Sequence, residues 1–151
     1  MKRQTPWRLV LFTAVGLLAA LHATAGPDAG SEANRVHYTE IVCNDVAEHI
    51  AALEQVHGLS FGPPMADLGL AQVAKAPDGR LIGVRAPLAE HETPIIRTYV
   101  EVADIAGAVE KAAAAGAVIA YPPTQQGDTG TWAIYILGDL QFGLWQRPSG
   151  L

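Results

Sequence analysis

Between Val36 and Cys43 the chain alternates as a strand with one covered face must: Thr39, Ile41 and Cys43 fall on one side, and Tyr38, Glu40 and Val42 on the other. The alternation stops at Asp45, and Val46, Ile50 and Leu53 then recur at helical spacing. Asp45 is placed to cap that helix, and Gly58 to end it. The same signals return further along. Thr98, Val100 and Val102 alternate, Asp104 precedes a stripe of Ile105, Val109 and Ala112, and Gly116 closes it. Asp45 maps onto Asp104 and Pro63-Pro64 onto Pro122-Pro123, both at an offset of 59 residues. The chain therefore contains an internal repeat.

After each double proline come two further strand candidates around a turn. They are Leu70–Ala76 and Arg80–Ala86 around "PDG", then Thr131–Leu137 and Gln141–Gln146 around Gly138-Asp139. Each copy reads β-α-β-β-β, so the predicted class is α+β. Two tandem βαβββ modules would form curved mixed sheets around a cleft, with the helices outside. Module one covers 35–87, the acidic, proline-bracketed linker 87–94, and module two 95–147, all within a single domain at 35–151. A module of about 60 residues is too small to be comfortable alone, so the copies should share one core.

The N-terminus reads differently. Lys2, Arg3 and Arg8 precede the apolar run Leu9–Leu21, and "ATA" at Ala23–Ala25 supplies small residues at a cleavage position. The run of 13 apolar residues is short of the roughly 20 that span a bilayer. We expect a signal peptide at 1–25, a flexible lead-in at 26–34, and a bacterial periplasmic or secreted product without stable membrane insertion. Beyond Ala25 seven Lys or Arg face 15 Asp or Glu, a net charge of −8 with neutral histidines, which argues against nucleic acid as a partner. Cys43 is the only cysteine, so no internal disulfide is possible.

With these modules in place, "IVCNDV" and "VEVADI" leading into helices and the closing "AYPPTQQGDTGTWAIYILGDLQFGLWQ" make the chain resemble the vicinal oxygen chelate superfamily. That superfamily includes glyoxalase I, extradiol dioxygenases and the bleomycin- and fosfomycin-resistance proteins, and the likeness is to a bacterial glyoxalase-like branch. The resemblance covers about Arg35 to Gln146. It implies a divalent metal in the cleft, held by one side chain from the first and one from the last strand of each module. Those positions fall on Tyr38, Gly83, Arg97 and Gly143. None is a usual ligand, and an arginine among them would repel a divalent cation. We expect no metal and no cofactor.

Strand alternation puts Tyr38, Glu40, Arg97, Tyr99 and Glu101 on the cleft face and places His37 and Cys43 under the helices. Trp132 and Trp145, with Tyr135, could join the tyrosines in cradling an apolar ligand. Glu40 and Glu101, near Tyr99, are the candidates for a catalytic base, or else pair with Arg97 or Arg85. His37 serves as a metal ligand only if the register slips. Cys43 reads as a small buried residue, and "GDTG" (Gly127–Gly130) as a mobile loop at the cleft mouth. Two expectations follow. One is a metal-independent module, monomer or homodimer, binding a small molecule in a cleft widened by Gly83 and Gly143. The other is a glyoxalase- or dioxygenase-like enzyme with a displaced metal or a carboxylate base.

Overall fold

A computed structural model describes residues 34–148, so the expected signal peptide and all of the lead-in but Asn34 lie outside the described residues. Strands and helices follow in the expected order: β1 Val36–Val42, α1 Val46–His57, β2 Pro64–Met65, β3 Ala71–Lys75, β4 Leu81–Arg85, β5 Ile95–Glu101, α2 Ile105–Ala114, β6 Val118–Gln126, β7 Gly130–Leu137 and β8 Leu140–Gln146. The strands make one curled, mixed sheet in the order β2-β3-β4-β1-β5-β8-β7-β6. Within each module the first strand lies parallel to the last, β1 on β4 and β5 on β8. The modules join where β1 and β5 run antiparallel, so the repeat becomes a two-fold-like sheet with one shared centre.

Both helices start as the sequence requires. Asp45 Oδ1 accepts from the Glu48 amide at 3.0 Å, and Asp104 Oδ1 from that of Gly107 at 3.2 Å, satisfying amides that the first helical turn leaves open. Gly58 ends α1 at φ +64°, where a side chain would be strained. The helices cover the sheet unequally. In α2, Ile105 is buried and Val109 packs with it on Ala133 and Leu144. No residue of α1 is buried, and an apolar groove of about 530 Å³ runs between its Leu53 and Val56 and the strand residues Ile95 and Ile96.

The second strands of the two modules differ. β2 is two residues long, whereas β6 continues through Pro122-Pro123 to Gln126. β6 is at the sheet edge, where a residue without an N–H is tolerated, and its register on β7 shifts between Tyr121 and Thr124 across the prolines. "GDTG" forms the turn of the β6–β7 hairpin, closed by the Thr129 amide on Gln126 O at 3.0 Å.

Burial on β1 and β5 alternates in phase with the expected cleft face: Tyr38, Glu40 and Val42, then Arg97, Tyr99 and Glu101, are all buried. Cys43 is buried as expected, and burial, reinforced by the charge of Asp45, pushes its thiol up from the ordinary value. His37 departs from the expectation. The register between β1 and β5 shifts between Val36 and Tyr38, and this irregularity brings His37 to the cleft side. There its ring lies 5.0 Å from that of Trp145 and its Nδ1 is 3.7 Å from Glu101.

Candidate functional site

The centre of the sheet carries charge. Glu40, at mid-β1, pairs in register with Arg97 on β5, and Arg85 closes the neighbouring β4, so three charged side chains meet on the inward face. All three are buried, and Glu40 is only 2% exposed. A carboxylate this deep needs hydrogen-bond partners on both oxygens. Arg85 Nε donates to Oε1 at 2.6 Å, while Oε2 accepts from Arg97 Nη1 and from the Tyr99 hydroxyl, the latter at 3.0 Å. Arg97 also donates from Nε to Gln141 Oε1 at 3.2 Å.

A fourth charge comes from the linker. Glu92 receives Arg85 in a two-pronged pair, Nη1 on Oε2 at 2.8 Å and Nη2 on Oε1 at 2.7 Å, and also accepts from the Leu88 amide at 2.7 Å. These Arg85 bonds hold the Glu92 carboxyl down to about 2, against the opposing effect of partial burial. Burial alone would lower the Arg85 guanidinium, but the bonds to Glu92 and the charge of Glu40 outweigh it and hold Arg85 above its ordinary range. Beside this network opens a cavity of about 350 Å³ with Leu68, Trp132 and Ile134 as apolar wall and Glu40, Arg85, Glu92 and Arg97 at its charged end.

The aromatic residues divide. Tyr38, Tyr99 and Trp145 are essentially fully buried in one cluster, with ring centroids 5.4 Å apart for the tyrosine pair and 5.5 Å for Tyr38 and Trp145. They form the core and are not among the residues that line the cavity. Burial, and then the charge of Glu40, pushes both tyrosine hydroxyls far up from their ordinary value. Trp132 stacks on Trp145 at 5.7 Å and reaches the cavity. Tyr135 lies elsewhere, stacked on Phe142. Glu101 is also outside the cavity, held by Arg147 Nη2 at 2.9 Å and Arg35 Nε at 3.4 Å.

The glycines do not widen the cleft as expected. A Cβ at Gly83 would stand 2.7 Å from Cε2 of Tyr38, and one at Gly143 would stand 2.6 Å from Cε1 of Tyr99. Each missing side chain is the room that a tyrosine ring occupies.

This arrangement of paired modules has counterparts among solved structures. Methylmalonyl-CoA epimerase from Mycobacterium tuberculosis is similar at 16% identity and TM-score 0.60, over 75% of this chain and 87% of that one. A variant of the Streptomyces coelicolor methylmalonyl-CoA epimerase, in complex with 2-nitronate-propionyl-CoA, is similar at 13% identity and TM-score 0.56, over 78% and 99%. A hypothetical protein from Bacillus halodurans reaches TM-score 0.62 at 11% identity, over 78% and 97%. The chain has the vicinal oxygen chelate fold. No protein-family model matches the chain, and no curated protein matches it.

The vicinal oxygen chelate resemblance implies a divalent metal, and the residues present do not fit one. At its four positions stand a phenol ring packed over one glycine, a guanidinium, and a second glycine under another phenol ring. Glu40, the carboxylate at this point, already spends both oxygens on two guanidinium groups and a hydroxyl. Among the described residues no three His, Cys, Asp or Glu side chains group so as to hold a metal ion. Sequence reading missed Glu92 and Gln141. Glu92 sits in a linker with no periodicity, and only its place between prolines, close after Arg85, hints at a fold back onto β4.

Proposed function

We propose that this is an exported small-molecule-binding module of vicinal oxygen chelate fold. Its cleft takes a compact organic ligand through guanidinium groups rather than through a divalent metal. The observation that carries the reading is the cavity of about 350 Å³, within the range of small-ligand sites, whose apolar wall ends on Arg85 and Arg97. An apolar body against Trp132 and Ile134 with a carbonyl or anionic end at the arginines matches that surface.

A melting-temperature screen of the full chain against organic acids and carbonyl compounds tests it. Hits should lose their stabilising effect in Ile134→Trp, which fills the cavity. Hits unaffected by that substitution would place binding elsewhere. Export is a separate proposal, resting on the pattern of Lys2 to Ala25; protein recovered from a bacterial periplasm should begin at Gly26 by intact mass.

A catalytic reading is favoured by the similarity to epimerases, one of them in complex with methylmalonyl-CoA. It needs a carboxylate with an open oxygen at the cavity, and Glu40 has both engaged, so it ranks second. Solvent deuterium incorporation into methylmalonyl-CoA that disappears in Glu40→Gln would make it first.

A further inference from the structure

The buried charges of the site do not balance without the linker. Glu40, Arg85 and Arg97 come from strands and sum to one positive charge, and Glu92 supplies the missing negative one from outside the sheet. The two carboxylates are held differently. Glu40 is buried and bonded from three sides, whereas Glu92 is 21% exposed on a segment without helix or strand, between β4 and β5. Apart from Arg85, its bonds stay inside the linker: it accepts from the Leu88 amide at 2.7 Å, and its own amide donates to Ala89 O at 3.0 Å. The linker turn can therefore leave with Glu92 as a unit.

Glu92 also stands between two cavities. The cavity of about 350 Å³ described above and a neighbouring one of about 450 Å³ share Glu92, Arg97, Tyr121 and Ile134 in their walls. Withdrawing the Glu92 carboxylate would remove one shared wall residue and release both Nη groups of Arg85 from it, Nη1 keeping its 3.0 Å bond to Ala86 O.

We propose that Glu92 is a built-in surrogate for the ligand's own carboxylate, and that the site takes small monocarboxylic acids with an apolar body, whose carboxylate exchanges with Glu92 on Arg85. This rests on the binding reading above and narrows it to one ligand class. The planar, two-pronged bonding at 2.7 and 2.8 Å is what any carboxylate offers a guanidinium. A single negative charge restores neutrality, whereas a phosphate dianion would leave an excess beside the buried Glu40. Leu68, Trp132 and Ile134 provide the face for a body of about one ring at this volume.

Exchange predicts that the linker competes with the ligand. A latch closed nine-tenths of the time weakens apparent affinity about tenfold. Calorimetric titration of the full chain with benzoate, benzamide and inorganic phosphate, in wild type and in Glu92→Gln, reads this directly. Benzoate should bind the variant at least about tenfold more tightly than wild type, with Glu92→Ala moving the same way and benzamide and phosphate gaining no such advantage.

Equal or weaker benzoate binding by the variants overturns the exchange and leaves the binding reading intact. Phosphate gaining as much as benzoate overturns the carboxylate assignment. If benzoate binds none of the proteins while other compounds still stabilise the chain in an Ile134-dependent way, the ligand class is wrong and the cleft reading stands. If nothing binds at all, both fall.

Discussion

Gly83→Ala should destabilise the protein by about 1–2 kcal/mol, although alanine is ordinarily the better strand residue. The added methyl would stand 2.7 Å and 2.8 Å from Cε2 and Cζ of Tyr38, well inside the roughly 3.5–4.0 Å at which carbon atoms attract. The ring has little room to retreat, because Tyr99 lies 5.4 Å away on one side and Trp145 5.5 Å on another. Overpacking of this kind costs about 1–3 kcal/mol, from which the backbone advantage of alanine over glycine, about 0.5–1 kcal/mol, is recovered. Urea denaturation followed by circular dichroism should show a lower midpoint at unchanged slope. In a Tyr38→Leu background the clash is relieved, and Gly83→Ala should become neutral or stabilising by up to about 1 kcal/mol. A cost that is the same in both backgrounds would refute the claim that the phenol ring occupies the space the glycine leaves.

Other outcomes follow from the same geometry. Tyr38 Oη is buried with no hydrogen-bond partner among the described residues, so Tyr38→Phe should be neutral or stabilising. Tyr99→Phe, which removes the 3.0 Å bond to Glu40, should cost about 1.5–3 kcal/mol, and equal effects of the two in denaturant titrations would contradict this. Glu40→Gln leaves two buried guanidinium groups facing each other and should cost about 3–5 kcal/mol by the same assay; a cost under about 1 kcal/mol would mean the network is solvated. For Glu92 the folded carboxyl is held at about 2 against an ordinary 4.5, so the ion pair's contribution is complete above pH 4.5 and lost as pH falls toward 2. Solvent reaches this pair and screens it, so the stability difference between wild type and Glu92→Gln should shrink by about 1–2 kcal/mol across that window. A pH-independent difference would count against the pairing.

The architecture was legible because the repeat fixed a register. Asp45 and Asp104 cap where the offset puts them, and the inward face of β1 and β5 follows from alternation. The pairing of Glu40 with Arg85 or Arg97 was open to the same reasoning, since a buried carboxylate requires cationic partners. Alternation cannot register an irregular pairing, so His37 was assigned to the wrong side; it also says nothing about volume, so Gly83 and Gly143 read as open space when Tyr38 and Tyr99 fill it. Glu92 was hidden for a different reason. Its position depends on how an aperiodic linker folds over Arg85, which no local pattern encodes.

In the proposed reading Arg85 and Arg97 make the cleft an anion site, where the vicinal oxygen chelate resemblance implies a cation. Scanning the melting temperature of one preparation with benzoate and, separately, with Mn, Ni, Zn and Fe(II) salts confronts the two directly. Benzoate at tens of millimolar should raise it and the divalent ions should not. Stabilisation by one divalent ion at stoichiometric concentration, with no response to benzoate, would contradict the account.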